Sequence, residues 1–219
     1  MRKKTVSMGM ALCLMMTGML AVSGCGYQEA DVTKSSAGDT VVIECGGDVE
    51  TEEFAVSEIT AALEENGMSV VSDDGDWTIK LAGIDKRLEE QAFDIKVKNN
   101  VITVEGGDAA GLLYGGLEVA DMVQLYGTLY AVGTKSQTPY VANRGIKFNA
   151  PLDMRTPGYS DMGDSGQMSI ADMWDMEFWK EEIDAMARNR YNVLSLWNLN
   201  PFPSMVKVKG YEDVALDDV

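Results

Sequence analysis

The stretch 141–200 limits the fold more than any other part of the chain. A short apolar run, 145–148, leads into a long loop rich in Gly and Asp. An amphipathic run, 175–189, follows. A second apolar run, 193–197, then ends in Asn198, Asn200, Pro201 and Phe202. Strand, loop, helix, strand is the unit that builds parallel sheets. Such folds gather their ligands beyond the carboxyl ends of the strands. Asn149, Asp153, Arg155, Tyr159, Trp197, Asn198 and Asn200 fall there. The chain stops at Val219, soon after this unit, so the expectation is the front of a larger protein.

The amino terminus reads differently. Arg2, Lys3 and Lys4 precede a mostly apolar run, 6–22, and then Val22-Ser23-Gly24-Cys25. Basic, apolar and small-residue regions in that order form a secretory signal, and small residues ending in Cys form a lipobox. The resemblance is to bacterial lipoprotein signals. It implies removal of 1–24, lipidation at Cys25, and a membrane-anchored protein at the cell surface or in the periplasm. The alternative is an uncleaved anchor helix.

The formal net charge is −17. Loss of the signal with its three cations would leave about −20. Such a surface repels nucleic acid and anionic lipid headgroups. Cys13 lies in the signal and Cys25 is the lipid site, so Cys45 alone remains and no intramolecular disulfide forms in the mature chain. Its apolar strand neighbours predict a buried, inert thiol. The chain has no histidine, which excludes Ser–His and Cys–His catalysis and His-ligated zinc. No cofactor or metal is expected; Asp161, Asp164 and Gly166 lack calcium-loop spacing.

Between these ends, 25–39 is polar and reads as a flexible tether. Residues 40–45 form a β-branched strand candidate. Residues 52–66 carry helical spacing, with Ala55, Ile59, Ala62 and Leu63 on one face, Glu52 and Glu53 in the first turn, and Gly67 as the stop. Strands are predicted at 77–81, 93–97 and 101–104. Asn99-Asn100 joins the last two as a two-residue hairpin, since Asn tolerates positive φ. Asp108 should cap a helix over 109–125. Gly111, Gly115 and Gly116 inside that helix cost about 1 kcal/mol each relative to Ala, which close packing on the sheet would explain. A phosphate cradle at Gly106-Gly107 is the other reading, although the Lys and Ser/Thr of a P-loop are missing. The order strand, helix, three strands, helix suits an α+β domain over 40–140, with both helices on one sheet face. Residues 135–143 read as a polar linker, and 141–219 as a second domain.

Each chemical candidate has a bland reading beside it. Asn149, Asp153, Arg155, Tyr159, Asp161 and Asp164 could bind sugar hydroxyls, or could form a solvated acidic loop. Trp197 and Phe202 could stack on sugar rings with Asn198 and Asn200 bonding hydroxyls, or could be core. Trp179, Ile183, Met186 and Ala187 are the expected inward stripe of the helix at 175–189.

The segment FDIKVKNNVITVEGGDAAGLLYGGLEVADMV resembles the end of the N-terminal domain of β-N-acetylhexosaminidases and α-glucuronidases. NRGIKFNAPLD, with Arg144-Gly145, is similar to the first barrel strand of those enzymes. Asn149 to Asp153 and Gly158-Tyr159 resemble α-glucuronidase loops. The chain departs from hexosaminidases at Asn149, where they carry Asp, and at Leu152, where they carry Arg. The resemblance implies an α+β N-terminal domain followed by the first βα units of an incomplete (β/α)8 TIM barrel. It also implies a carbohydrate substrate and catalytic carboxylates on later strands. No residue here matches the family's adjacent Asp–Glu pair. A whole barrel takes about 250 residues, so 145–219 supplies only its opening.

Two functions therefore stay open. One is a fragment of a lipid-anchored glycoside hydrolase, inactive alone because its catalytic carboxylates lie beyond Val219. The other is a non-catalytic carbohydrate-binding lipoprotein. A purely structural surface module is a third.

Overall fold

A computed structural model describes residues 28–46, 51–150, 168–197 and 207–214. The signal, Cys25 and the start of the tether lie outside them.

A six-stranded sheet forms the larger body, in the order β2-β1-β3-β5-β4-β6. Its strands are β1 (Thr40–Cys45), β2 (Ser69–Val71), β3 (Trp77–Ile84), β4 (Phe93–Lys98), β5 (Val101–Gly106) and β6 (Lys135–Gln137). The first helix, α1 (Thr51–Glu65), is the crossover between β1 and its parallel partner β2. β3 pairs parallel with the other side of β1 and with β5. β4 and β6 then run antiparallel.

Period-two alternation puts Trp77, Ile79, Leu81, Phe93, Ile95, Val97, Ile102 and Val104 on one face, all buried. The second helix, α2 (Ala109–Tyr126), and α1 cover that face. They contribute Ala55, Ile59 and Leu63 from α1, and Leu112, Leu117 and Val123 from α2, to a single core. The hairpin turn is as the sequence implies: Asn99 and Asn100 have φ of 51° and 59°. The Asp108 side chain accepts from Gly111 N at 2.7 Å. A Cβ on Gly111 would stand 2.1 Å from Ala92 O, one on Gly115 2.5 Å from Val104 Cγ1, and one on Gly116 2.8 Å from Ala55 Cβ. The three glycines thus set how closely α2 meets the sheet and α1.

Three expectations change, and one alternative falls away. Residues 28–39 are no loose tether: Gln28 N donates to Val97 O and Asp31 N to Tyr130 O, and the buried Ser36 hydroxyl accepts from Leu129 N at 2.9 Å. The linker at 135–143 begins with an edge strand, β6, which polar Lys135, Ser136 and Gln137 gave no apolar signal for. Gly106-Gly107 cradles no phosphate, because Gly107 N donates to Ala92 O at 2.9 Å and a Cβ there would meet Glu89 O at 1.9 Å. Cys45 is exposed, since it ends β1. Its thiol is pushed up by partial burial and then by the nearby Glu52 carboxylate.

The smaller body holds β7 (Gly145–Asn149), a four-residue helix α3 (Ile170–Met173), α4 (Met176–Arg188) and β8 (Val193–Trp197). Asp175 caps α4 by accepting from Glu177 N. Three arginines hold this body against the sheet domain. The Arg144 guanidinium donates to Gln91 Oε1 at 2.9 Å and to Arg190 O at 2.8 Å, and lies 5.3 Å from the Tyr114 ring centroid. Arg188 makes a two-pronged pair with Glu58, and Arg190 pairs with Asp121. Exposed pairs of this kind are worth under about 1 kcal/mol each. Their value is in fixing orientation.

Candidate functional site

β7 and β8 are parallel and in register, Phe148 opposite Leu196 and Asn149 opposite Trp197. Their carboxyl ends are therefore level. Ala150 N donates to Trp197 O at 2.8 Å and carries the pairing one residue further.

Alternation gives this pair two distinct faces. Phe148 points to α4, its ring 6.2 Å from that of Phe178 and 5.5 Å from that of Trp179, edge to face. Trp179 is pinned by its indole N–H, which donates to Met173 O at 3.0 Å. Ala150 and Met173 close this small core. The contact face of α4 is rotated toward Phe178, which leaves Ile183, expected to point inward, 53% exposed at its flank. Met186 is buried as expected, and Trp179 and Ala187 are half-buried.

Among the described residues, the helix contacts of the strand pair lie on the Phe148 side, and the opposite face is a separate one. Lys147, Ser195 and Trp197 share it by register. The Lys147 ammonium sits 5.0 Å from the Trp197 ring centroid, a cation–π distance. Trp197 is half-buried, and Lys147 and Ser195 are exposed. Trp197 is therefore neither plain core nor a loose surface ring. It is an aromatic plane at the carboxyl end of a strand, held by a neighbouring cation.

Of the residues singled out in the sequence, the structure brings Asn149 and Trp197 together as a register pair, described at Asn149 through its backbone. Asp153, Arg155, Tyr159, Asp161, Asp164, Asn198, Asn200 and Phe202 lie outside the described residues. Lys147 was missed. Alternation within GIKFN would have found it, because Lys147 and Asn149 must share a face.

Chemically, this face offers a ring for stacking, an ammonium donor and a hydroxyl. Neither GIKFN nor VLSLW contains an Asp or Glu. Bond cleavage by a carboxylate pair therefore does not originate on these two strands. Among the described residues no cluster of His, Cys, Asp and Glu could hold a metal ion, and no helix is long and apolar enough to cross a membrane.

No family profile and no curated protein matches the chain. Solved structures do. A GH138 enzyme targeting pectin rhamnogalacturonan II overlaps 79% of this chain at 29% identity with a TM-score of 0.62. A GH115 4-O-methyl-α-glucuronidase with specificity for decorated arabinogalactans overlaps 74% at 15% identity, with a TM-score of 0.46. The β-N-acetylhexosaminidase of Bacteroides fragilis overlaps 79% at 14% identity, with a TM-score of 0.44. The last two overlaps are too loose to carry an argument. The chain spans 26% of the GH138 structure's length, 25% of the GH115 structure's and 30% of the hexosaminidase's. The mixed α/β fold described above is shared with part of the GH138 enzyme structure.

Proposed function

We propose that this chain is part of a lipid-anchored glycoside hydrolase, comprising its sheet domain and the opening strand–helix–strand unit of its catalytic barrel. The observation that carries the reading is the parallel, in-register pair β7–β8, with Trp197 and Lys147 toward its carboxyl end on the face opposite Phe148. That is where barrel enzymes assemble their sites. The overlap with the GH138 enzyme supports it, and makes pectic polysaccharide the first substrate class to assay.

In this reading Trp197 stacks on a sugar ring. Lys147, Asn149, Asp153, Arg155, Tyr159, Asn198 and Asn200 form the rim that bonds its hydroxyls. The carboxylates that cleave the bond belong to strands beyond β8, so 1–219 alone binds without cleaving. Lipid at Cys25 would hold the enzyme at the membrane surface, and a chain folded from Gln28 onward would leave little slack between the two. The sequence resemblance pointed to β-N-acetylhexosaminidases and α-glucuronidases. The firmer overlap is with GH138, so a substrate without an acetamido group is part of the proposal.

The test is release of reducing ends from pectic oligosaccharides by the polypeptide of the complete reading frame and by 1–219. Cleavage by the first and none by the second is the expected result. A reading frame that encodes no further strands, or turnover by 1–219 itself, would refute the assignment. The absence of Asp and Glu from β7 and β8 also favours a second reading, binding without catalysis. It predicts glycan retention with no cleavage by either polypeptide.

A further inference from the structure

We propose that the cleft between the sheet domain and the start of β7 is a second saccharide site, which holds a neutral sugar residue against Tyr140. The cleft has a volume of about 380 Å³, within the roughly 300–1,000 Å³ of small-ligand pockets. Tyr140 lines it and is fully exposed, while Tyr114 in its wall is buried. An aromatic ring with a wet face and a hydroxyl at its tip suits a pyranose, which is apolar on its C–H face and polar at its edge.

The polar groups around the ring favour an uncharged ligand. Arg144 is committed to carbonyls and to Gln91, and Arg190 to Asp121. Glu118 accepts from Lys135. The N–H donors of both arginines are thus largely engaged, and the chain's charge of −17 works against an anion. Gln137 and Asn189 line the same cleft as exposed amides; Asn189 gives one N–H to Ala185 O at 2.8 Å and keeps the other, with its oxygen, for a hydroxyl.

The location separates this site from the rim. Arg144 precedes β7, whereas Trp197 pairs with Asn149 at its far end. Five residues of strand span about 16 Å. A polysaccharide held here would be tethered at the other end of β7 from the rim and not cut in the cleft. The choice of sugar as ligand class rests on the glycoside hydrolase reading.

Calorimetry of the chain with methyl β-galactoside, methyl α-rhamnoside and galacturonate tests it, with Tyr140→Ala and Trp197→Ala as variants. Because Tyr140 is fully exposed, its truncation leaves the fold intact. The expected result is millimolar binding of a neutral glycoside, weakened about tenfold by Tyr140→Ala and retained by Trp197→Ala. Loss in Trp197→Ala with Tyr140→Ala unchanged would place all binding at the rim, overturning this site while sparing the rim. Preference for galacturonate, or no binding to the wild-type chain, would also overturn it.

Discussion

Replacing Gly111 by Ala should destabilise the protein, although Ala is the better helix former. Propensity alone favours Ala by up to about 1 kcal/mol. The new methyl, however, would lie 2.1 Å from Ala92 O, where ordinary contact begins at 3.4 Å. The carbonyl must retreat by more than an ångström or the helix must rise off the sheet. Retreat breaks the 2.9 Å bond from Gly107 N to Ala92 O, worth about 0.5–1.5 kcal/mol. Overpacking in a filled core adds about 1–3 kcal/mol. The net expectation is a loss of about 1–3 kcal/mol, or a Tm lower by roughly 2–12 °C for a chain of this size. Thermal unfolding followed by circular dichroism reads it directly. Gly116→Ala should lose less, because its nearest neighbour is the Ala55 methyl at 2.8 Å and α1 can shift as a unit. A Gly111→Ala variant as stable as the parent, or more so, would refute the claim that close approach explains these glycines.

Further outcomes follow from the same structure. Asp108→Ala removes the N-cap bond to Gly111 N and should cost about 1 kcal/mol in urea unfolding. The Asp85 carboxyl is held at about 2 by side-chain and backbone hydrogen bonds from Arg87. Its folded value is below the unfolded one of about 3.9. Its stabilising contribution is therefore full above pH about 4 and disappears as pH falls toward about 2. A carboxyl carbon NMR titration should show Asp85 as a low outlier that Arg87→Ala returns toward normal. Cys45 should be accessible to alkylating reagents yet slow at pH 7, speeding as pH rises, because burial and Glu52 disfavour its thiolate. Asn99→Val places a β-branched residue at φ 51° and should weaken the hairpin by about 1 kcal/mol or more, whereas Asn99→Gly is tolerated.

Much of the sheet domain was legible because its signals are local. Alternation in FDIKVK, helical spacing around Ile59 and Leu63, and Asn-Asn at a turn each dictate one conformation. The strand pair at 145–149 and 193–197 was legible for the same reason, down to its parallel sense. Elements fixed by distant partners were not legible. β2 and β6 are three residues each and exist because β1 and β4 offer open edges. Residues 28–39 look like a polar tether, yet Ser36 is buried because its hydroxyl bonds Thr128 and Leu129, over ninety positions away. Cys45 and Ile183 were misread because periodicity tells which side a residue faces, not whether anything covers it there. At the rim, Trp197 was legible as a candidate, and Lys147 needed the register of two strands to be seen as its partner.

The central claim is that the Trp197 face at the carboxyl end of β7 and β8 meets sugar. Indole NMR signals test it most directly, because Trp77 is buried in the sheet core and serves as an internal control. Titration with pectic oligosaccharides should move the Trp197 indole resonance and leave that of Trp77 in place. A Trp197 signal unmoved by every oligosaccharide, or one moving in step with Trp77, would contradict the account.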